Sequence, residues 1–186
     1  MTVDTRHDAV LAATRAWLER AVIGLNLCPF AKAVYARGQV HLAVSGAESR
    51  DAVLDDLAAE MDALVARDPV ERETTLLVVP YCLRQFLEFH EVAGRAERLI
   101  RKKALEGVIQ LATFHPDYRF ADSSEDDIGN FSNRSPYPTL HLLRESSIAR
   151  AVKAFPQPES IFGANIATLR ELGADGWKAL DVGPAP

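Results

Sequence analysis

Three side chains in this sequence sit in local settings that can support acid–base, nucleophilic or ligand chemistry: Cys28, His115 and His141. Cys28 precedes Pro29. Proline suits the first position of a helix, because its missing N–H would be unpaired there anyway. Cys28 would then be the N-cap, where unpaired N–H groups and the helix dipole favour a thiolate, with Lys32 one turn later. Such a cysteine is a nucleophile or a thiolate ligand; the competing reading of Leu27-Cys28-Pro29-Phe30 is an apolar turn with a core cysteine. His115 ends an apolar run, and Pro116 holds it extended. It is either a histidine aimed from a strand exit or one that caps turn backbone. Thr139 can cap a helix that places His141 in its first turn, where the dipole disfavours the imidazolium. A neutral His141 is a metal ligand or a general base, with Glu145 a turn further on; the alternative is a partly buried structural histidine.

Between the histidines lies a connection, Asp117 to Pro138, longer than the roughly 12–15 residues at which structureless loops become uncommon. Its first half includes Asp122 to Asp127, an acidic stretch that reads as a solvated rim and lacks calcium-loop spacing. Its second half, Asn133-Arg134-Ser135-Pro136-Tyr137-Pro138, is stiffened by two prolines. A stiff arm presenting Asn133, Arg134 and Tyr137, with Asp117 and Arg119 nearby, suits a carboxylate or phosphate, which arginine grips as a bidentate fork. The competing reading packs the arm over a helix, with Arg134 paired to the acidic rim. Cys82, between Tyr81 and Leu83, reads as core.

The remaining composition narrows the class. The chain has 186 residues, enough for one domain with a sizeable core, expected over 1–180 with 181–186 as a flexible tail. A net charge of -5 argues against a broad basic surface for nucleic acid. No apolar run approaches the about 20 residues that span a bilayer, and the polar start lacks a secretory core. Two cysteines do not make a disulfide scaffold, so a reducing cytoplasm is expected. No phosphate-cradling glycine loop, nucleophile elbow, HExxH or CxxC pair occurs.

The elements that must position these residues follow from periodicity. Val10, Ala13, Trp17, Ala21 and Leu25 recur at helical spacing, ending near Gly24. Gln39 to Ser45 alternates as a half-exposed edge strand, and Ser49 or Asp51 caps a helix to about Arg67. Thr75 to Val79 is continuously apolar, as in a strand covered on both faces. Leu83 to about Leu105 is a helix, Val108 to Phe114 a third strand, and helices are expected over Leu140 to Phe155 and Glu159 to Leu172. Strands joined by such helices favour parallel pairing. The expected fold is therefore α/β: a small three-layer domain, with a short, mostly parallel sheet of about three strands and extra terminal helices. An antiparallel α+β sandwich is the alternative. In an open parallel sheet, ligands bind beyond the carboxyl ends of the strands, here Ser45, Tyr81-Cys82 and His115.

Several long motifs occur in order: Asn26-Leu27-Cys28-Pro29-Phe30-Ala31, His115-Pro116-Asp117-Tyr118-Arg119-Phe120-Ala121, Asn133 to Pro138, Leu140 to Glu145, and Asn165-Ile166-Ala167-Thr168-Leu169. In these the chain resembles domain-of-unknown-function family 1415, bacterial with plant relatives, over nearly its whole length. The resemblance implies that Cys28, His115, Asp117, Arg119, Asn133, Arg134, Tyr137 and His141 belong to the family's signature, without assigning them roles.

These observations lead to an expectation of a soluble enzyme acting on a small anionic molecule. Cys28, His115 and His141 would converge on one pocket, with Asp117, Arg119, Asn133, Arg134 and Tyr137 around the substrate. In one version Cys28 is a nucleophile and a histidine its base. In the other the three hold zinc or iron with a position left open. The competing class is a non-catalytic module that binds a small ligand or metal.

Overall fold

The structure is a computed structural model that describes residues 3–154, 157 and 160–185. Its centre is a four-stranded sheet of β1 (Val40–Val44), β2 (Thr74–Val78), β3 (Ile109–Phe114) and β4 (Thr139–Arg144), in the order β1-β2-β4-β3. Only β1 and β2 are parallel; β4 runs antiparallel to both its neighbours. The α/β class holds, but the expected three-stranded, mostly parallel sheet is corrected to a four-stranded, mostly antiparallel one. β1 is an edge strand and β2 is buried at every position, as their patterns require.

The correction turns on β4. Leu140-His141-Leu142-Leu143 satisfies a helical apolar pattern as well as an alternating one, so local spacing does not decide it. The ladder does. β2 and β3 both need a partner on their inner edges, and β4 supplies N–H and C=O groups to each. Alternation then sends Leu140 and Leu142, both fully buried, to one face and His141 to the other. The helix expected from Leu140 begins only at Glu145, as α5 (Glu145–Ala154); its expected end, Phe155, lies outside the described residues.

Helices cover both faces. On one, α3 (Arg50–Ala66) and α4 (Phe86–Lys102) bury Val53, Leu57, Met61, Leu64, Phe89 and Val92 against Leu77, Leu140 and Leu142. Ser49 caps α3 by accepting the Ala52 N–H at 3.3 Å. On the other face α1 (Val3–Trp17) continues as one π-helical turn (Leu18–Ile23), and Trp17, Leu18, Ala21 and Val22 form a second core with Leu76 and Val182. A short α2 (Ala31–Ala36) follows the Cys28 turn.

The last helix, α6, spans Ser160–Ala179; Glu159, its expected start, lies outside the described residues. Gly173, at φ 68°, interrupts it in the left-handed region that glycine reaches without a Cβ penalty. The chain resumes helix beyond it and carries Trp177 and Lys178. The terminal segment is tied down: Val182 is buried, and the Ala185 N–H donates to Tyr137 Oη at 2.8 Å. Pro186 lies outside the described residues.

Candidate functional site

The two histidines emerge on opposite faces of the sheet. His141 pairs in register with Leu76 and Ala112, on the face covered by α1 and the Cys28 turn. His115 follows Phe114 and so points the other way, against Phe86 and Phe89 of α4 at ring-centroid distances of 5.5 and 5.2 Å. The expected convergence of Cys28, His115 and His141 does not occur, because a residue step reverses side-chain direction on a strand. Among the described residues no three or more His, Cys, Asp or Glu side chains are placed to hold a metal ion, so the zinc or iron set expected from those residues is not assembled.

His115 is fully buried, and backbone occupies both its nitrogens. Nδ1 accepts from the Asp117 N–H at 3.0 Å. The ring proton is therefore on Nε2, which donates to the Leu83 carbonyl at 3.0 Å. Burial lowers its pKa, with the Leu83 bond and Asp117 opposing, so it stays neutral. Leu83 is left-handed at φ 59°, a conformation that costs a leucine roughly 1–2 kcal/mol. His115 thus braces a strained turn and the start of the long loop.

His141 lines a cavity of about 640 Å³ together with Cys28. Its other walls are mainly apolar: Trp17, Leu18 and Val22 from α1 and the π turn, Phe30 from the Cys28 turn, Phe114 from β3. A π turn often marks a functional site, and this one contains Leu18 and Val22 of the wall. His141 Nε2 lies 2.6 Å from Thr74 Oγ1, and that hydroxyl lies 2.6 Å from the Leu142 carbonyl. A carbonyl only accepts, so the hydroxyl proton goes to Leu142. Both contacts are then satisfied only when His141 Nε2–H donates to Thr74. Nδ1 is left unprotonated, with no hydrogen-bond partner among the described residues. Burial pushes the His141 pKa down to about 4. The part of the ring that remains accessible opens on the cavity.

Cys28 departs from expectation in two ways. The N-cap of α2 is Phe30, and Cys28 lies two residues earlier. Its sulfur does receive the N–H groups of Phe30 and Ala31, but burial outweighs them and raises the thiol pKa, so the resting form is the thiol. Cys82 packs at the first core and donates to the Ala47 carbonyl at 3.4 Å.

Charged groups gather on the solvent side of this cavity. Arg37 and Arg150 line it and are exposed. Arg150 pairs with Glu73 at 2.9 Å, and Arg37 Nε donates to Gln39 Oε1 at 2.6 Å. Arg144 is committed elsewhere, donating to the carbonyls of Leu64, Arg67 and Arg72 at 2.6, 2.7 and 3.1 Å where α3 ends. Neither the role of Thr74 nor that of Arg37 and Arg150 carries a sequence signal. Each depends on which strand lies beside which.

The long loop is built as structure. Asn130, fully buried, accepts from the Phe120 N–H at 3.1 Å and Ser123 Oγ at 2.6 Å and donates to the Ser124 carbonyl at 2.8 Å. Asn133 Nδ2 donates to the Thr113 carbonyl at 3.3 Å and its own carbonyl accepts from the His115 N–H. Asp117 and Arg119 are exposed and line neither cavity described here. Tyr137 holds the terminal segment. Arg134 lines a different cavity, of about 420 Å³, with Trp177 and Lys178. The expected ring of Asp117, Arg119, Asn133, Arg134 and Tyr137 around the Cys28–His141 pocket is therefore not formed.

No helix of the described residues is long and apolar enough to cross a membrane. No curated protein and no solved structure matches the chain. The sequence profile of one family, described as "Protein of unknown function (DUF1415)", matches residues 9–179, which takes in all four strands and every motif on which the resemblance stood. The chain belongs to this DUF1415 family.

Proposed function

We propose that the chain binds a small molecule with an apolar body and an anionic end in the cavity between the sheet and the Cys28 turn. One observation carries this reading: a neutral histidine with an open acceptor nitrogen stands in a mainly apolar wall. A cavity of about 640 Å³ falls within the range of small-molecule sites, which are mostly apolar with a few placed polar groups. His141 Nδ1 would accept from a hydroxyl or amide of the ligand. Arg37 and Arg150 would meet its anionic end, with Glu73 as the internal counterion that the ligand displaces.

The first test is a comparison of decanoate with 10-hydroxydecanoate, followed through the indole N–H resonance of Trp17 in the cavity wall. Both should saturate. The hydroxylated acid should bind about fivefold tighter, the worth of one hydrogen bond, and His141→Leu should abolish that difference. Absence of a saturable Trp17 response to either acid would overturn the reading.

Catalysis in the same cavity is a second reading, favoured by the presence of both Cys28 and His141 on its lining. It requires a substrate that draws the thiol proton away, since burial keeps Cys28 protonated at rest. Iodoacetamide followed by peptide mapping tests it. Alkylation of Cys28 should be slow at neutral pH and faster as alkali forms the thiolate; no alkylation of the folded chain even in alkaline buffer would exclude the nucleophile.

A further inference from the structure

The cavity of about 420 Å³ at the C-terminal end of α6 is built from elements distant in sequence: Pro116, the Phe131–Pro136 arm, Trp177 and Lys178, and the 181–184 segment. Its principal cation is held rigidly. The Arg134 guanidinium carbon stands 4.2 Å over the Phe131 ring, Nη2 donates to the Glu125 carbonyl at 2.8 Å, and Nε reaches the Tyr118 carbonyl at 3.5 Å. All of these partners are neutral. Among the described residues no carboxylate pairs with Arg134 within salt-bridge distance, although it is half-buried. Burial lowers its pKa, partly offset by the more distant charges of Asp117, Glu125 and Asp126. A guanidinium desolvated, stacked and left without a bound anion is arranged for a ligand that brings the negative charge.

The rest of the cavity agrees. Lys178 adds a second cation to the lining. Asp181 is also on the lining, but its side chain is 94% exposed and faces Arg20 at 3.5 Å, so it does not neutralise Arg134. Phe131 and Trp177 meet edge to face at 5.2 Å, and Trp177 lines the cavity beside the cations. The wall from 181 to 184 is anchored at both ends. Arg20 Nη1 donates to the carbonyls of Leu180 and Asp181 at 3.1 and 3.0 Å, Val182 is buried, and Tyr137 Oη accepts from the Ala185 N–H. The cavity is therefore pre-organised.

We infer that this cavity is a second small-molecule site, separate from the Cys28–His141 cavity, that takes an oxyanion carried on a planar ring: Arg134 and Lys178 hold the oxyanion, and the ring lies against Trp177. The oxyanion is a phosphate monoester or a carboxylate, which share this recognition chemistry.

Titration of the intact chain with phenyl phosphate, inorganic phosphate and benzoate, followed by the indole N–H resonances of Trp177 and Trp17, tests the inference. Trp177 lines this cavity and Trp17 the larger one, so the two sites report separately. Phenyl phosphate or benzoate should shift Trp177 saturably at millimolar concentration or below, and the tighter of the two identifies the oxyanion. Inorganic phosphate, lacking the ring, should bind more weakly. Arg134→Gln and Lys178→Met should each weaken binding about tenfold, and added salt should weaken it further. Arg134→Gln also removes the tie to Glu125 and can disturb the loop; Lys178→Met changes only an exposed side chain and keeps the test decisive. No saturable Trp177 shift with either ring-bearing probe, or a shift unchanged by Lys178→Met, would overturn the inference whatever Trp17 does.

Discussion

His115 and His141 show how little a residue type says before its direction is known. His115 follows the end of β3 and His141 lies within β4, and both are held neutral by burial. His115 gives each nitrogen to backbone, whereas His141 gives one to Thr74 and turns the other to a cavity. The substitutions should separate them. His115→Ala leaves a core void between Phe86 and Phe89 and frees the strained Leu83 turn, so it should lower stability by about 3 kcal/mol in urea unfolding, while ligand binding by the remaining folded protein is retained. His141→Leu replaces a cavity-wall group with one of similar volume and should change stability by less than about 1 kcal/mol. The reverse ranking would mean that the roles have been exchanged. Cys28 belongs to this scale as well. The residues after it, Phe30 and Ala31, do point N–H groups at sulfur, as a helix start should, yet desolvation decides the resting state.

Among the elements, β4 matters most. It joins β2 to β3, carries His141 to the cavity and delivers Arg144 to the end of α3. Its amides from Leu140 to Leu143 should therefore exchange only on global unfolding, more slowly than those of the edge strand β1. Exchange of this segment as fast as α5 would contradict the central placement. Leu142→Ala, fully buried against α3 and α4, should cost about 3 kcal/mol. The sequence between Thr139 and Glu145 supports helix and strand alike by local spacing; what breaks the tie is two unpaired strand edges elsewhere in the chain. The π turn after Trp17 is equally invisible to periodicity, since it adds one residue per turn inside a run that already reads as helix.

For the whole molecule, two cores on either side of one sheet leave two cavities on the α1 side, and burial of histidine links the fold to pH. His115 and His141 have folded pKa values below the roughly 6.5 of an unfolded histidine, about 4 for His141. Below that pH the unfolded chain binds more protons, so the stability they contribute is complete above about pH 6.5 and is lost as pH falls toward their folded pKa values. His41 shifts the same way, with a smaller effect because it is more exposed. Unfolding free energy should therefore fall by about 1–2 kcal/mol per pH unit between pH 6 and 5, before most carboxylates titrate. His141→Leu should remove about one proton from that slope. A flat profile over this window would show that the histidines are accessible to solvent.

By itself the sequence determined the family, the amphipathic helices with their buried faces, the buried and edge strands β2 and β1, and the neutrality of His141, although for the wrong reason: a helix dipole was expected, and burial on a strand is the cause. These are local properties, written in spacing over a few residues and in the cost of exposing apolar surface. Tertiary structure alone decided which chemistry-bearing residues meet. Alternation along β3 and β4 sends His115 and His141 to opposite faces, Thr74 selects a tautomer only because β2 lies beside β4, and Arg134 faces Trp177 because the chain continues as helix past Gly173. Each of these depends on pairing between segments far apart in the chain, where strand register, rather than residue type, sets direction.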